Sequence, residues 1–272
     1  MTRVLFLIFW ALALSSRASA QSSGLKRLNT GDETRGWKAF GRIDVAGKGF
    51  CTGALIAPDL VLTAAHCLYD RDSGQRVEHE AMEFRAGWRD GRASAYRHVR
   101  RAVVHPDYIY DGTATTERVR NDLALIELDS PIRNTTVIPF ETAERPAKGD
   151  KIGIVSYALD RSEAPSLQES CHVMARQKGV LIMSCDVNFG SSGAPIFSID
   201  NGTAKIVSVV SAKAEVQGTP VSLGTALEGP FVRLRAELAA GRGRFSVVGT
   251  LESRAAATAK GRGASGAKFV KP

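Results

Sequence analysis

The chain has 272 residues, 44% hydrophobic and 24% charged, with 26 Gly and 10 Pro, which excludes wholesale disorder and collagen-like repeats and leaves ample material for a buried core. Lys and Arg outnumber Asp and Glu by 36 to 28, a formal charge of +8, and that surplus invites a nucleic-acid or membrane-surface partner. It is confined to the ends, however: residues 1–20 carry +2 and residues 241–272 carry +6, leaving 27 basic and 27 acidic residues between them, so the body is neutral and implies no specific nucleic-acid partner.

Residues 1–3 are a short cationic start, residues 4–14 are eleven unbroken apolar positions, and residues 18–20 read Ala-Ser-Ala. That order predicts a secretory signal cleaved after Ala20. Eleven residues fall short of the roughly 20 that a helix needs to cross hydrocarbon, so no membrane contact is expected after cleavage, and the protein is expected to be exported, periplasmic or secreted. Residues 21–36 are polar, with three glycines, and read as an N-terminal extension or pro-segment.

From Trp37 short apolar runs alternate with turns. Strands are predicted over residues 50–56, 60–63, 98–104, 123–128, 151–158, 180–185 and 206–211, with a Pro58-Asp59 turn joining the first two. Residues 64–69 read as one short helical turn. No earlier stretch sustains a helical period before residues 231–239, where Phe231, Leu234 and Leu238 share one face. Many short strands over about 200 residues predict an all-β sandwich or barrel. Residues 241–272 hold too little apolar surface to offset ordering and are expected to be disordered, apart from a short strand over 245–251. The expected domains are therefore 37–135 and 136–240, between the extension and this basic tail.

In an exported protein the four cysteines, Cys51, Cys67, Cys171 and Cys185, imply two disulfides. Three pairings are open, of which nearest-neighbour pairing closes two short loops. Zinc is the competitor, but neither C-x-x-C nor H-E-x-x-H occurs, so no metal or cofactor is expected.

Three strings carry chemistry together. Residues 63–67, TAAHC, place His66 just after a predicted strand. Residues 121–126, NDLALI, place Asp122 at the entrance to another. Residues 190–195, GSSGAP, place Ser192 on a tight glycine-flanked loop. Acyl transfer needs a hydroxyl, a base that takes its proton near neutral pH, and a carboxylate that holds the base's tautomer. Each string alone is weak, since a lone His is usually structural and an Asp at a strand entrance usually forms a turn. An α/β-hydrolase would need G-x-S-x-G, but Ala194 stands two positions after Ser192.

On CTGALIAPDLVLTAAHC (51–67), NDLALIEL (121–128) and GSSGAPIF (190–197), the chain resembles the trypsin/chymotrypsin-like serine peptidases, and among them the secreted bacterial, glutamyl-endopeptidase-like branch, over roughly residues 36–240. The resemblance implies two six-stranded antiparallel β-barrels, here with a short C-terminal helix, and protein or peptide substrates. It implies His66 as general base and acid, Asp122 as its orienting carboxylate and Ser192 as nucleophile, with the N–H groups of Gly190 and Ser192 as the oxyanion hole. It also supports a Cys51–Cys67 bridge.

The match departs at informative positions. Digestive members carry Asp just before the nucleophile, where it pairs with a newly cut N-terminal amine; here Ser191 stands there. Asp186, six residues before Ser192, matches the acid that selects Lys or Arg side chains, and its competing role is a turn cap after Cys185. Val210 stands where glutamyl endopeptidases place a histidine, and Ser211 matches the serine that lines the pocket near the catalytic Asp. His79, His98, His105 and His172 have no partner pattern. Arg85, Arg89, Arg92, Arg97, Arg100 and Arg101 read as a solvated face, and Trp37 and Trp88 as core or rim. Two other functions compete with a secreted serine endopeptidase: a catalytically inactive relative that binds peptides, and polyanion contact through the tail.

Overall fold

A computed structural model describes residues 24–45, 47–111, 115–143, 146–200 and 202–243. The expected signal segment, the strand at 245–251 and nearly all of the basic tail lie outside these.

Six strands close the first barrel: β2 (Phe40–Val45), β3 (Gly49–Ala57), β4 (Leu60–Thr63), β5 (Met82–Ala86), β6 (Ala95–Val104) and β7 (Ala124–Leu128), in the order β2-β3-β4-β7-β6-β5. Period-2 alternation builds its interior. On β5, Met82, Phe84 and Ala86 point inward while Glu83 and Arg85 are half-exposed. Phe40, Ile43, Leu55, Leu62 and Leu125 complete that core with almost no exposed surface.

The second barrel comprises β8 (Lys151–Ser156), β9 (Ser166–Gln177), β10 (Val180–Met183), β11 (Pro195–Asp200), β12 (Thr203–Val216) and β13 (Thr219–Ala226), all antiparallel and closed by β8 on β9. A two-residue strand, β1 (Lys26–Arg27), adds to β9 at Leu167 and Ser166. The polar stretch before Trp37 is thus pinned to the second barrel, and Leu28 is buried there. Aromatic rings seal the seam between barrels: Phe40 stacks on Tyr157 at 4.8 Å, and Phe197 packs against Trp37 and Phe140 at 5.1 and 4.9 Å.

Two α-helices are present among the described residues. The terminal one, α2 (Pro230–Ala239), buries Leu234. The other, α1 (Thr116–Asn121), corrects the expectation of no helix before 230. It is six residues long, too short to show a period, and is set by Thr115, whose hydroxyl caps the Arg118 N–H. The arginine cluster is solvated only in part: Arg92 and Arg100 are exposed, whereas Arg85 pairs with Glu83 at 2.6 Å, Arg101 with Glu127, and Arg97 donates to backbone carbonyls. Both cysteine pairs are nearest neighbours, Cys51–Cys67 and Cys171–Cys185.

Candidate active site

A cleft of roughly 870 Å³ is lined by residues of both barrels, including Phe50, His66, Asp122, Gly190, Ser192, Ser211 and Lys213. His66 rides on the 3-10 turn Ala65–Leu68 that leaves β4, and the Cys67 bridge to Cys51 ties this turn back to β3. Asp122 follows α1 directly and is 1% exposed. Its carboxylate accepts the His66 backbone N–H at 2.8 Å, lies 2.7 Å from His66 Nδ1, and accepts the Ser211 hydroxyl. An ionised carboxylate only accepts, so the proton of a neutral His66 ring belongs on Nδ1 and Nε2 presents its lone pair. Thr225 on β13 donates to the carbonyls of Val119 and Asp122, at 2.5 and 3.2 Å. The second barrel thereby fixes the segment that carries the acid of the first.

The Gly190–Ser192 loop is held from several sides. Thr52, fully buried on β3, donates through its hydroxyl to the Gly190 carbonyl at 2.8 Å and through its N–H to the Ser192 carbonyl at 2.8 Å. Gly190 has φ +96, and a β-carbon there would lie 2.6 Å from the Phe50 ring. Gly193, at φ +77, is pressed against Thr63 and Thr52. Both positions require glycine. Ser192 is half-buried and faces the cleft with His66, but among the described residues its hydroxyl makes no hydrogen bond to the ring.

The cleft carries charge of both signs, Lys48, Arg71, Arg118 and Lys213 against Asp70, Asp72 and Asp122. Lys48 pairs with Asp70 at 2.6 Å, and this ammonium, with the Ser73 N–H and hydroxyl, holds the Asp70 carboxyl well below the usual range. Arg118 donates to the Tyr108 hydroxyl at 3.2 Å and lies over Tyr110. Arg71 sits 5.2 Å from the Phe189 ring, and Lys213 is exposed; neither has a carboxylate partner among the described residues. Asp186 is also exposed, with its N–H bonded to Gln168, and it is not among the cleft-lining residues. His66, Asp122, Ser192, Gly190 and Ser211 are therefore brought together, and Asp186 is not. Thr52, Thr225 and Lys213 went unnoticed in the sequence, where a Thr or Lys within a strand carries no distinguishing signal.

The family model described as Trypsin matches residues 30–226. A glutamyl endopeptidase of Bacillus licheniformis is 27% identical over 150 residues, 55% of this chain and 45% of that protein. A trypsin of Phaedon cochleariae is 37% identical over 105 residues, 38% of this chain and 36% of that one. The chain thus spans about half or less of these curated relatives. Among solved structures, a glutamyl endopeptidase in complex with MPD superposes with a TM-score of 0.66 at 24% identity, over 80% of this chain and 97% of that one. A scabies mite inactivated protease paralogue superposes with a TM-score of 0.60 at 16% identity, over 80% and 96%.

Proposed function

The chain belongs to the trypsin family, and from that premise we propose that it is an exported serine endopeptidase working through an acyl-enzyme. The observation that carries this is the buried Asp122 carboxylate gripping both the backbone and the ring of His66 in the cleft that Ser192 and Gly190 line. In this scheme His66 Nε2 takes the Ser192 hydroxyl proton as the oxygen attacks the substrate carbonyl. The Gly190 and Ser192 N–H groups meet the developing oxyanion. His66 then gives the proton to the departing amine, and water, deprotonated by the same ring, releases the acid product. Asp122 stays ionised and stabilises the imidazolium. Two disulfides and the signal-like residues 1–20 support an oxidising address outside the cytoplasm.

Charge decides the preferred side chain. A Lys/Arg preference needs Asp186 in the cleft, and its exposed position outside the lining gives no support. Lys213 and Arg71 line the cleft without carboxylate partners, which favours an acidic side chain next to the cleaved bond, with Lys213 supplying the cation that Val210 cannot. The name of the Bacillus relative agrees with this preference.

The inactive, peptide-binding reading stays in play because the same fold houses an inactivated paralogue. Labelling by a serine-directed phosphonate separates the two. The native protein should take one label and Ser192→Ala none; a folded native protein that takes no label and cleaves no peptide library ends the enzyme reading. In the library, cleavage should follow acidic residues. Lys213→Glu should lower that cleavage about 10- to 100-fold, the scale of one charge-assisted contact.

A further inference from the structure

Arg161 ends the 3-10 turn Leu159–Arg161 that follows β8, and its side chain is only 11% exposed. Nη1 lies 3.1 Å from Asp160, a carboxylate that is itself 61% exposed. Nη2 donates to the hydroxyls of Ser156 at 3.2 Å and Ser191 at 3.4 Å, both of which are fully buried. Nε is buried with no hydrogen-bond partner. As a stabilising device this is poor: a cation withdrawn from water, with one exposed carboxylate for company, is commonly matched or bettered by an apolar side chain. Its location is the informative part.

Ser191 sits between the two oxyanion residues, Gly190 and Ser192. Its hydroxyl donates to the Tyr157 carbonyl at 3.1 Å and accepts from the Asn188 N–H at 3.3 Å and from Arg161. A hydroxyl has one proton and two lone pairs, so every capacity of this one is used, and nothing is left for a further donor such as a free terminal amine. The turn is closed by Ser191 N–H to the Asn188 carbonyl at 2.9 Å. The two loops are clamped by Leu159 N–H to the Phe189 carbonyl at 2.8 Å. The Arg161 guanidinium thus supports the loop at Ser191, where Thr52 holds Gly190 and Ser192.

We propose that Arg161 is a positioning residue for the oxyanion donors, holding the Gly190–Ser192 turn in working shape from within the chain, so that no newly cut N-terminal amine is needed to assemble the site. This rests on the peptidase reading, and the test keeps the two apart. Protein with an acetylated or tag-extended N-terminus ahead of Gln21 should match the free-amine form in kcat within about twofold. Arg161→Met should lower kcat about 10- to 100-fold with KM within about threefold, somewhat less than outright loss of an oxyanion donor, and phosphonate labelling should slow in parallel. Millimolar guanidinium should restore several-fold activity to Arg161→Ala and none to the native protein, a rescue that general destabilisation does not produce. If the Met variant does not fold, Arg161→Lys carries this arm, since its nitrogen falls one bond short of the Nη2 that holds both hydroxyls and cannot also keep the Asp160 contact, and several-fold lower kcat is expected. Unchanged kcat in a folded Arg161 variant, or activity that appears only after an N-terminal cut, overturns the proposal. A native protein with either N-terminus that takes no label overturns the peptidase reading instead.

Discussion

A β-carbon on Gly190 would meet the Phe50 ring at 2.6 Å and the Ala158 Cα at 3.0 Å, with φ at +96 besides. The ring could swing only by leaving its place over the Arg42 guanidinium, 4.5 Å away, and the Ala158 backbone cannot swing at all. Relief must come from turning the 190 peptide, whose N–H is one of the two proposed oxyanion donors. Gly190→Ala should therefore lower kcat about 10²-fold, the cost of one misplaced donor, while the left-handed backbone adds about 1–2 kcal/mol of instability. Steady-state kinetics beside urea unfolding checks both; full activity in the folded variant would remove Gly190 from the oxyanion hole. The same residue marks the limit of what the string GSSGAP conveys. Its glycines announce a tight turn, but that Phe50 and Thr52, some 140 positions away, brace that turn is a tertiary fact.

Strands were legible where burial makes the sequence monotonous. β3, β4 and β7 are apolar runs inside the first barrel, and the expected segments fall on them. Strands β2, β5, β9, β11 and β13 escaped, their sequences mixing polar, Gly or Pro positions with the apolar ones. β9 reads SLQESCHVMARQ, with buried Gln168 and outward Glu169 and His172, and β13 reads TPVSLGTA. Irregular register where β9 meets β8 and β10 breaks the period that would have announced it. Helix α1 was hidden for another reason: its stability comes from contacts at its ends. Thr225 on β13 holds the carbonyls of Val119 and Asp122, and both are buried residues. Thr225→Val keeps the volume but leaves the Asp122 carbonyl without its donor and the Val119 carbonyl with only the Asp122 N–H, which predicts a loss of about 1–3 kcal/mol. It should lower the urea midpoint at constant m-value, and kcat should fall several-fold as Asp122 loses its anchor. A midpoint shift without any change in kcat would show that the tie serves the fold alone.

At the scale of the whole molecule, the +8 charge belongs to the ends, and the residues just inside the N-terminal end join the barrels. Lys26 and Arg27 extend the second barrel's sheet at β9, while Arg27 pairs with Asp90 and Asn29 accepts from Arg89, both on the first barrel's loop after β5. Glu33 locks this strap: its carboxylate pairs with Lys26 at 2.9 Å and accepts the N–H groups of Asn29 and Thr30 at 2.9 and 3.1 Å. The Lys26 contact first, then the Thr30 N–H, lower its pKa from 4.5 to about 2. A carboxyl whose folded pKa is depressed contributes stability that is fully present above its unfolded value and is lost as pH falls through the folded one. The strap should therefore loosen between about pH 4.5 and pH 2, before any effect on the barrel cores, because Glu33 is a half-exposed group whose partners all lie within the strap. Hydrogen exchange at residues 24–36, corrected for intrinsic pH dependence, should accelerate across that window in the native protein. In Glu33→Gln, which keeps the shape but cannot hold the Lys26 charge, exchange should be fast already at pH 6 and nearly independent of pH. If both proteins show the same acid-induced acceleration, the strap is released by another group, and Asp90, which pairs with Arg27, is the next to replace.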